Sequence, residues 1–295
     1  MGNRLGSAVM TLGALALVGV LCVTHADDVG QASTTVPAWV LAMLVALHLV
    51  TLVLRSEAWR LSLASAGGDG LSRGTVHGAN AAAFVAGAVQ SHAALPARVA
   101  VLRRVARERA PRASQICVAD LPIVVLELCA TALLLAAGAL AGRGSWWIAL
   151  AALAVTVAVV VTARMAPDRT TWAPARGLAV LADQRRRGPL VLLVAGLTGL
   201  TAVRVWLVLD VCGLPLGLGD VRWTFAMLGL FGVLPLGPGA PAGATLATFG
   251  VAQLGAAIAA GLLLAASSIV AVLVYAVAVG LATRLRTRTS VPAPA

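Results

Sequence analysis

Lysine is absent from this chain of 295 residues, and all 22 of its basic residues are arginine. Charge of either sign is scarce, at 11% of residues, and aromatics make up only 4%, with a single tyrosine. With 60% of residues hydrophobic and a mean hydropathy of +0.95, so little charge excludes a soluble globular domain. The thin aromatic content argues against nucleic acid as a partner despite an isoelectric point near 11.5. The arginines flank apolar runs instead of interleaving with stacking side chains. An alanine-rich, arginine-only chain also carries the mark of a GC-rich coding bias, so arginine at any one position means little by itself.

Cysteine and histidine are equally sparse. Cys22, Cys117, Cys129 and Cys212 lie in or beside apolar runs, and His25, His48, His77 and His92 form no paired ligand motif. Neither a metal site nor a cofactor is expected.

What the chain does contain is long apolar runs bounded by arginine. Six of them predict full membrane spans: Ser7 to Thr24, Val36 to Leu54, Ile116 to Ala141, Ser145 to Ala163, Pro189 to Leu209 and Ala256 to Ala282. Thr24-His25-Ala26 is an alternative signal-peptidase site, and cleavage there would leave the remaining topology unchanged.

Two further apolar stretches cannot cross. Between Trp223 and Leu254, Pro235, Pro238 and Pro241 alternate with Gly237, Gly239 and Gly243, so one helix must stop near Leu234 and another start near Ala242. A limb of about 14 residues reaches only ~21 Å of a ~30 Å hydrocarbon core, which predicts a re-entrant hairpin. The second stretch, Thr75 to Leu95, carries His77, Asn80, Gln90 and His92 and precedes Arg98, Arg103, Arg104, Arg107, Arg109 and Arg112. A full crossing would put those arginines outside, against the positive-inside rule, so this stretch too should return to the cytoplasm, bending at Gly87 or at Leu95-Pro96. Every arginine except Arg143, Arg204 and Arg222 then faces the cytoplasm, and Trp39, Trp146, Trp147, Trp206 and Trp223 mark the outer interface.

The expected fold is an all-α polytopic membrane protein with about six full spans and two re-entrant helical hairpins. It forms one integral membrane domain over residues 1–283, and a short basic Pro/Ala tail, 284–295, is expected to be disordered. Both termini are expected to be cytoplasmic, in the inner membrane of a bacterium. Residues 1–142 read as span, span, hairpin, span, and residues 145–283 repeat that order upside down. Such inverted repeats build transporters whose site lies near the midplane. The alternative is a chance run of six spans.

Within this layout Glu127 should lie roughly 17 Å deep, where an ionised carboxylate is normally paired or functional. Arg204 has two open roles, pairing with Glu127 or snorkelling outward beside Trp206. Arg98, Arg103 and Arg104 lie on a basic amphipathic run that anchors the topology. Their guanidinium forks also suit the phosphate of an anionic phospholipid or a polyprenyl-linked phosphate. Asn80, Gln90 and His92 either line a headgroup route or hydrogen-bond between helices.

Three pieces of the chain carry a resemblance: LRSEAWR after the second span, LPARVAVLRR after the polar stretch, and VLPLGPGAPAG in the late hairpin. Together they resemble the flippase-like membrane region of the lysylphosphatidylglycerol synthase family, over nearly the whole chain. The family's proline and two arginines map to Pro96, Arg98 and Arg103, and its later Pro and Pro-Gly to Pro235, Pro238 and Gly239. Ala100 and Val101 stand where the family often has Gly-Glu or Gly-Asp, Ala240 replaces a glycine, and Thr245 is the nearest polar residue where an acid is usual.

The resemblance implies translocation of a lipid headgroup. It also implies that aminoacylation is absent, as the chain ends at Ala295 without a soluble catalytic domain. The expected substrate-facing residues are Arg98, Arg103, Glu127, Arg204, Asn80, Gln90 and His92, with Pro96, Pro235, Pro238, Gly239 and Gly243 shaping the hairpins. Two other classes remain open. A membrane enzyme acting on a lipid-linked phosphate would echo Pro238, Gly239 and Thr245, although no Ser or Arg stands between them. A non-catalytic scaffold for a partner enzyme is the third.

Overall fold

The computed structural model describes residues 36–68, 70–106, 111–140, 173–214, 217–233 and 239–289, together with Val23, Ala154 and Val161. The rest of the spans expected over Ser7 to Thr24 and Ser145 to Ala163, the hairpin prolines Pro235 and Pro238, and residues 290–295 of the tail lie outside the described residues. Among those described there are helices and no strands.

Four helices are long and apolar enough to cross a membrane: Ala38–Gly68, Ala113–Leu133, Gln184–Val211 and Leu254–Leu285. They coincide with four of the six expected spans. In chain order the helices are α1 (Ala38–Leu63), α2 (Arg73–Val89), α3 (Ala94–Ala106), α4 (Ala113–Val118), α5 (Leu121–Leu140), α6 (Ala173–Ala182), α7 (Gln184–Val211), α8 (Leu218–Val233), α9 (Ala240–Phe249) and α10 (Leu254–Thr289). Because α10 runs to Thr289, Arg284, Arg286 and Arg288 belong to a helix and not to the tail. Leu192, Leu133, Leu273, Val277 and Leu281 point outward from the long helices, the apolar exterior that suits lipid and not water.

Contacts between helices fix their directions. Arg186, Gly196 and Arg204 of α7 meet Ser65, just past the end of α1, and Leu54 and His48 within it, so one number rises as the other falls and the two helices are antiparallel. Ser56 of α1 meets Tyr275 of α10, and His48 and Ser267 share the side chain of Arg204, so α1 and α10 are parallel. Arg55 meets Glu127 while Trp59 and Asp120 share Arg98, so α5 opposes α1. We call the end where α1 stops and α5 and α7 begin the basal end, and the other the apical end.

Each short hairpin belongs to one end. Helix α2 starts beside Glu57 through Arg73 and His77, then joins Leu49 and Leu52 in an apolar cluster through Ala81, Phe84 and Val85. It thus climbs from the base, and α3 returns, because Arg98 lies back at the level of Trp59. Helix α9 opposes α10, with Ala242 against Gly261 and Thr245 bonded to Ala257. A Cβ at Gly261 would run into the backbone of Ala242, so only glycine lets these two helices approach so closely.

The breaks have local causes. Helix α8 ends at Val233 and α9 starts at Ala240 with proline in its first turn, as the alternating Pro and Gly predict. The bend between α2 and α3 falls at neither expected place. Gln90 takes an extended conformation, φ −148° and ψ 115°, and a single 3-10 turn over Ser91–Ala93 follows. Gly87 stays inside α2, packed on Ala94, and Leu95-Pro96 sits in the first turn of α3, where a missing N–H costs nothing. At the base, α1 runs on into a π-helical turn, Ala64–Gly68, in which Gly67 has φ +95°. A side chain there would be strained and would press on the amide of Gln115.

Candidate functional site

Among the described residues, the charged side chains inside this apolar bundle and their partners fall into two layers. At about 1.5 Å per residue, His48 lies ~15 Å and Glu57 ~28 Å along α1 from its apical end. The first is near mid-depth and the second near the basal edge.

The basal layer is rich in ion pairs. Glu57 accepts hydrogen bonds from Arg60 Nε at 2.9 Å, Arg73 Nε at 2.5 Å and His77 Nε2 at 2.7 Å. The bond to Glu57 pushes the Arg73 guanidinium above the usual arginine value, although Arg73 itself is exposed. The chain continues inward: Tyr275 Oη lies 2.7 Å from His77 Nδ1 and 2.8 Å from Ser56 Oγ, with Ser56 fully buried. On the other side of α1, Arg55 pairs with Glu127 at 2.7 Å, and Arg98 pairs with Asp120. The Arg98 guanidinium also stacks 4.5 Å above the centre of the buried Trp59 ring. Two pieces of the sequence resemblance, around Trp59 and around Arg98, are therefore packed on each other.

The middle layer is a single cation. Arg204, 6% exposed, turns into the bundle from α7. Its Nη1 donates to His48 Nδ1 at 3.0 Å, and Nη2 lies 2.6 Å from the Leu264 carbonyl and 2.7 Å from the hydroxyls of Ser267 and Ser268. Among the described residues its Nε has no acceptor and no carboxylate reaches it. An arginine inside an apolar bundle pairs with an acid or with backbone carbonyls, and Arg204 uses a carbonyl and neutral side chains.

These positions correct part of the sequence reading. Glu127 does not pair with Arg204; depth alone suggested it, but Glu127 meets Arg55 on the neighbouring helix. Arg204 does not snorkel beside Trp206 either, because Trp206 faces outward while the guanidinium finds four acceptors inward. Asn80 is 1% exposed and, among the described residues, neither amide atom has a partner, whereas His92 is exposed on the turn between α2 and α3 and Gln90 is half-buried there. Asn80 is therefore enclosed in the bundle, while Gln90 and His92 lie together on the turn. Arg103 and Pro96 are exposed on α3, Gly239 is the buried N-cap of α9, and Gly243 is half-buried within it.

Sequence reasoning missed Arg55, Glu57, His77 and His48 as partners, and it missed Tyr275, Ser267 and Ser268 altogether. Signals for some were present: Tyr275 is the only tyrosine, set in an apolar span, and Ser267-Ser268 is a polar pair in the same span. A scan against protein-family models and a search of curated proteins find no match to this chain.

Proposed function

We propose that this protein moves an anionic lipid headgroup, that of a phospholipid or a polyprenyl-linked phosphate, between the faces of a cytoplasmic membrane. The observation that carries this reading is Arg204, a buried cation near mid-depth with, among the described residues, an open Nε–H and no acid beside it. An anion in transit would supply the missing charge. Below it the cations descend in steps: Arg55 held by Glu127, then Arg98 held by Asp120. A phosphate entering at the base would meet guanidinium groups that can exchange a carboxylate for it, because both bind the same fork. The arginine distribution makes the basal end cytoplasmic.

In this reading the hairpins α2–α3 and α8–α9 dip into the bilayer from opposite faces without crossing, giving two halves related by inversion. Acyl tails stay in lipid while the headgroup passes between the halves. The resemblance to the lysylphosphatidylglycerol synthase membrane region points the same way. A phosphate-cleaving enzyme is less favoured, since the Thr245 hydroxyl of its echoed motif is spent on the carbonyl of Ala257 at 2.6 Å.

The test is headgroup exposure in proteoliposomes holding fluorescent phosphatidylglycerol, scored by bleaching from outside. Wild-type protein should bleach more than half of the label, and Arg204→Gln should return it to the level of empty vesicles. Equal rates for wild type, variant and empty vesicles, with both phosphatidylglycerol and a polyprenyl phosphate, would overturn the reading.

A further inference from the structure

The Glu57–His77–Tyr275–Ser56 chain plays no part in the arginine steps, yet it links the first hairpin to both parallel helices, α1 and α10. As a carboxylate Glu57 only accepts, so His77 Nε2 must carry a proton and donate to it. With His77 neutral, Nδ1 is then an acceptor: Tyr275 O–H donates to it and Ser56 O–H donates to Tyr275. Add one proton and Nδ1 becomes a donor. Tyr275 must accept from His77 and turn its own hydrogen toward Ser56. Ser56, fully buried, must then send its hydrogen elsewhere, and a helical serine has the carbonyl four residues back, that of Leu52, within reach. One proton at His77 thus reverses two hydroxyl bonds and is read on three helices.

The same proton changes the charge at the basal mouth. The groups around His77 are Glu57 and Arg60 from α1, Tyr275 from α10 and Arg73 from its own helix, while Arg98 of α3 turns away to Asp120 and Trp59. One carboxylate already serves two arginines. An imidazolium adds a third cation to that carboxylate, so it loosens the hold on Arg60 and Arg73 and favours an arriving anion. By linkage an arriving anion favours the proton equally.

The geometry points to proton-coupled transport: His77 takes up a proton at the basal end together with the anionic headgroup, and the Tyr275–Ser56 relay passes that state from the α2–α3 hairpin to α1 and α10. This rests on the translocator reading, and two measurements separate their fates. In the first, Raman spectra of the purified full chain follow the phenol Fermi doublet, which distinguishes donating from accepting hydroxyls. With one tyrosine in the chain the signal is Tyr275 alone. Its ratio should switch between alkaline and acidic buffer and stay flat in His77→Gln. A flat ratio in wild type, or a switch that survives in His77→Gln, overturns the relay whatever the transport result.

In the second, fluorescent phosphatidylglycerol is followed in proteoliposomes at equal internal and external pH. Its rate should fall about tenfold per pH unit on the alkaline limb, the slope of one required proton. Tyr275→Phe keeps the ring against Phe84 and should flatten that profile. A phosphatidylglycerol rate independent of pH overturns the coupling while leaving the translocator standing. No flux at any pH overturns the translocator, and with it the coupling.

Discussion

Replacing Arg204 by methionine separates a transport residue from a structural keystone. The substitution keeps a long, flexible stem and removes the charge. Ser267 still donates to the Leu263 carbonyl at 2.6 Å and Ser268 to that of Leu264 at 2.7 Å, so neither hydroxyl loses its own acceptor. Only His48 Nδ1 is orphaned, which costs about 1–3 kcal/mol. Against that, relieving the membrane interior of an arginine returns about 2.5–3.5 kcal/mol on insertion scales. The two nearly cancel, so Arg204→Met should change stability by less than about 2 kcal/mol while abolishing headgroup exposure. Scanning fluorimetry in detergent and the bleaching assay, run on one preparation, read both quantities. A collapse of the melting transition would show that Arg204 holds helices together, and transport at the wild-type rate would show that no anion needs it. Either result refutes the argument from missing charge.

Asn80→Leu should stabilise the protein by about 1–2 kcal/mol, since a buried amide with no partner is replaced by an apolar group of similar size. A drop in melting temperature would show that the amide does have a partner. Gly261→Ala should cost about 3 kcal/mol or more, visible as lost folded yield, because its methyl group meets the Ala242 backbone instead of a movable side chain. A tolerated alanine would disprove the close approach of α9 and α10. In a chain whose own cysteines are replaced, thiols placed at Ser72 and Arg104 should react with an impermeant reagent from one face, and those at Asp210 and Ala252 from the other. All four sites are exposed. Ser72 and Arg104 reacting from opposite faces would mean that the first hairpin crosses.

Which parts of this architecture could be read from sequence follows from the range of the forces involved. Four long helices were legible because hydropathy summed over about 20 residues outweighs any local preference. The break between α8 and α9 was equally legible, since proline and glycine act on their own backbone. The bend at Gln90 was not, because neighbouring chemistry does not require an extended residue there. It is packing that sets it, as Gly87 closes on Ala94 across the turn and α3 descends until Arg98 covers Trp59. Depth counted along the sequence placed Glu127 and Arg204 at comparable levels, but the helices sit so that Glu127 falls in the basal layer and Arg204 in the middle one. Their true partners, Arg55 and His48, both lie on α1.

The sorting of charge along the bundle ties these observations together. Among the described residues, the acids Glu57, Asp120 and Glu127 gather toward the basal end, where every one has an arginine, and the deepest cation, Arg204, has only neutral acceptors. A bundle selected for stability alone would do the reverse, because an unpaired ion costs most where water is farthest. Placing a carboxylate beside Arg204 would satisfy it permanently, and an incoming phosphate would then have to displace a buried pair. Hydroxyls, a carbonyl and a neutral imidazole solvate the guanidinium without neutralising it. They hold Arg204 folded and leave its charge unneutralised, as the proposed passage of an anion requires.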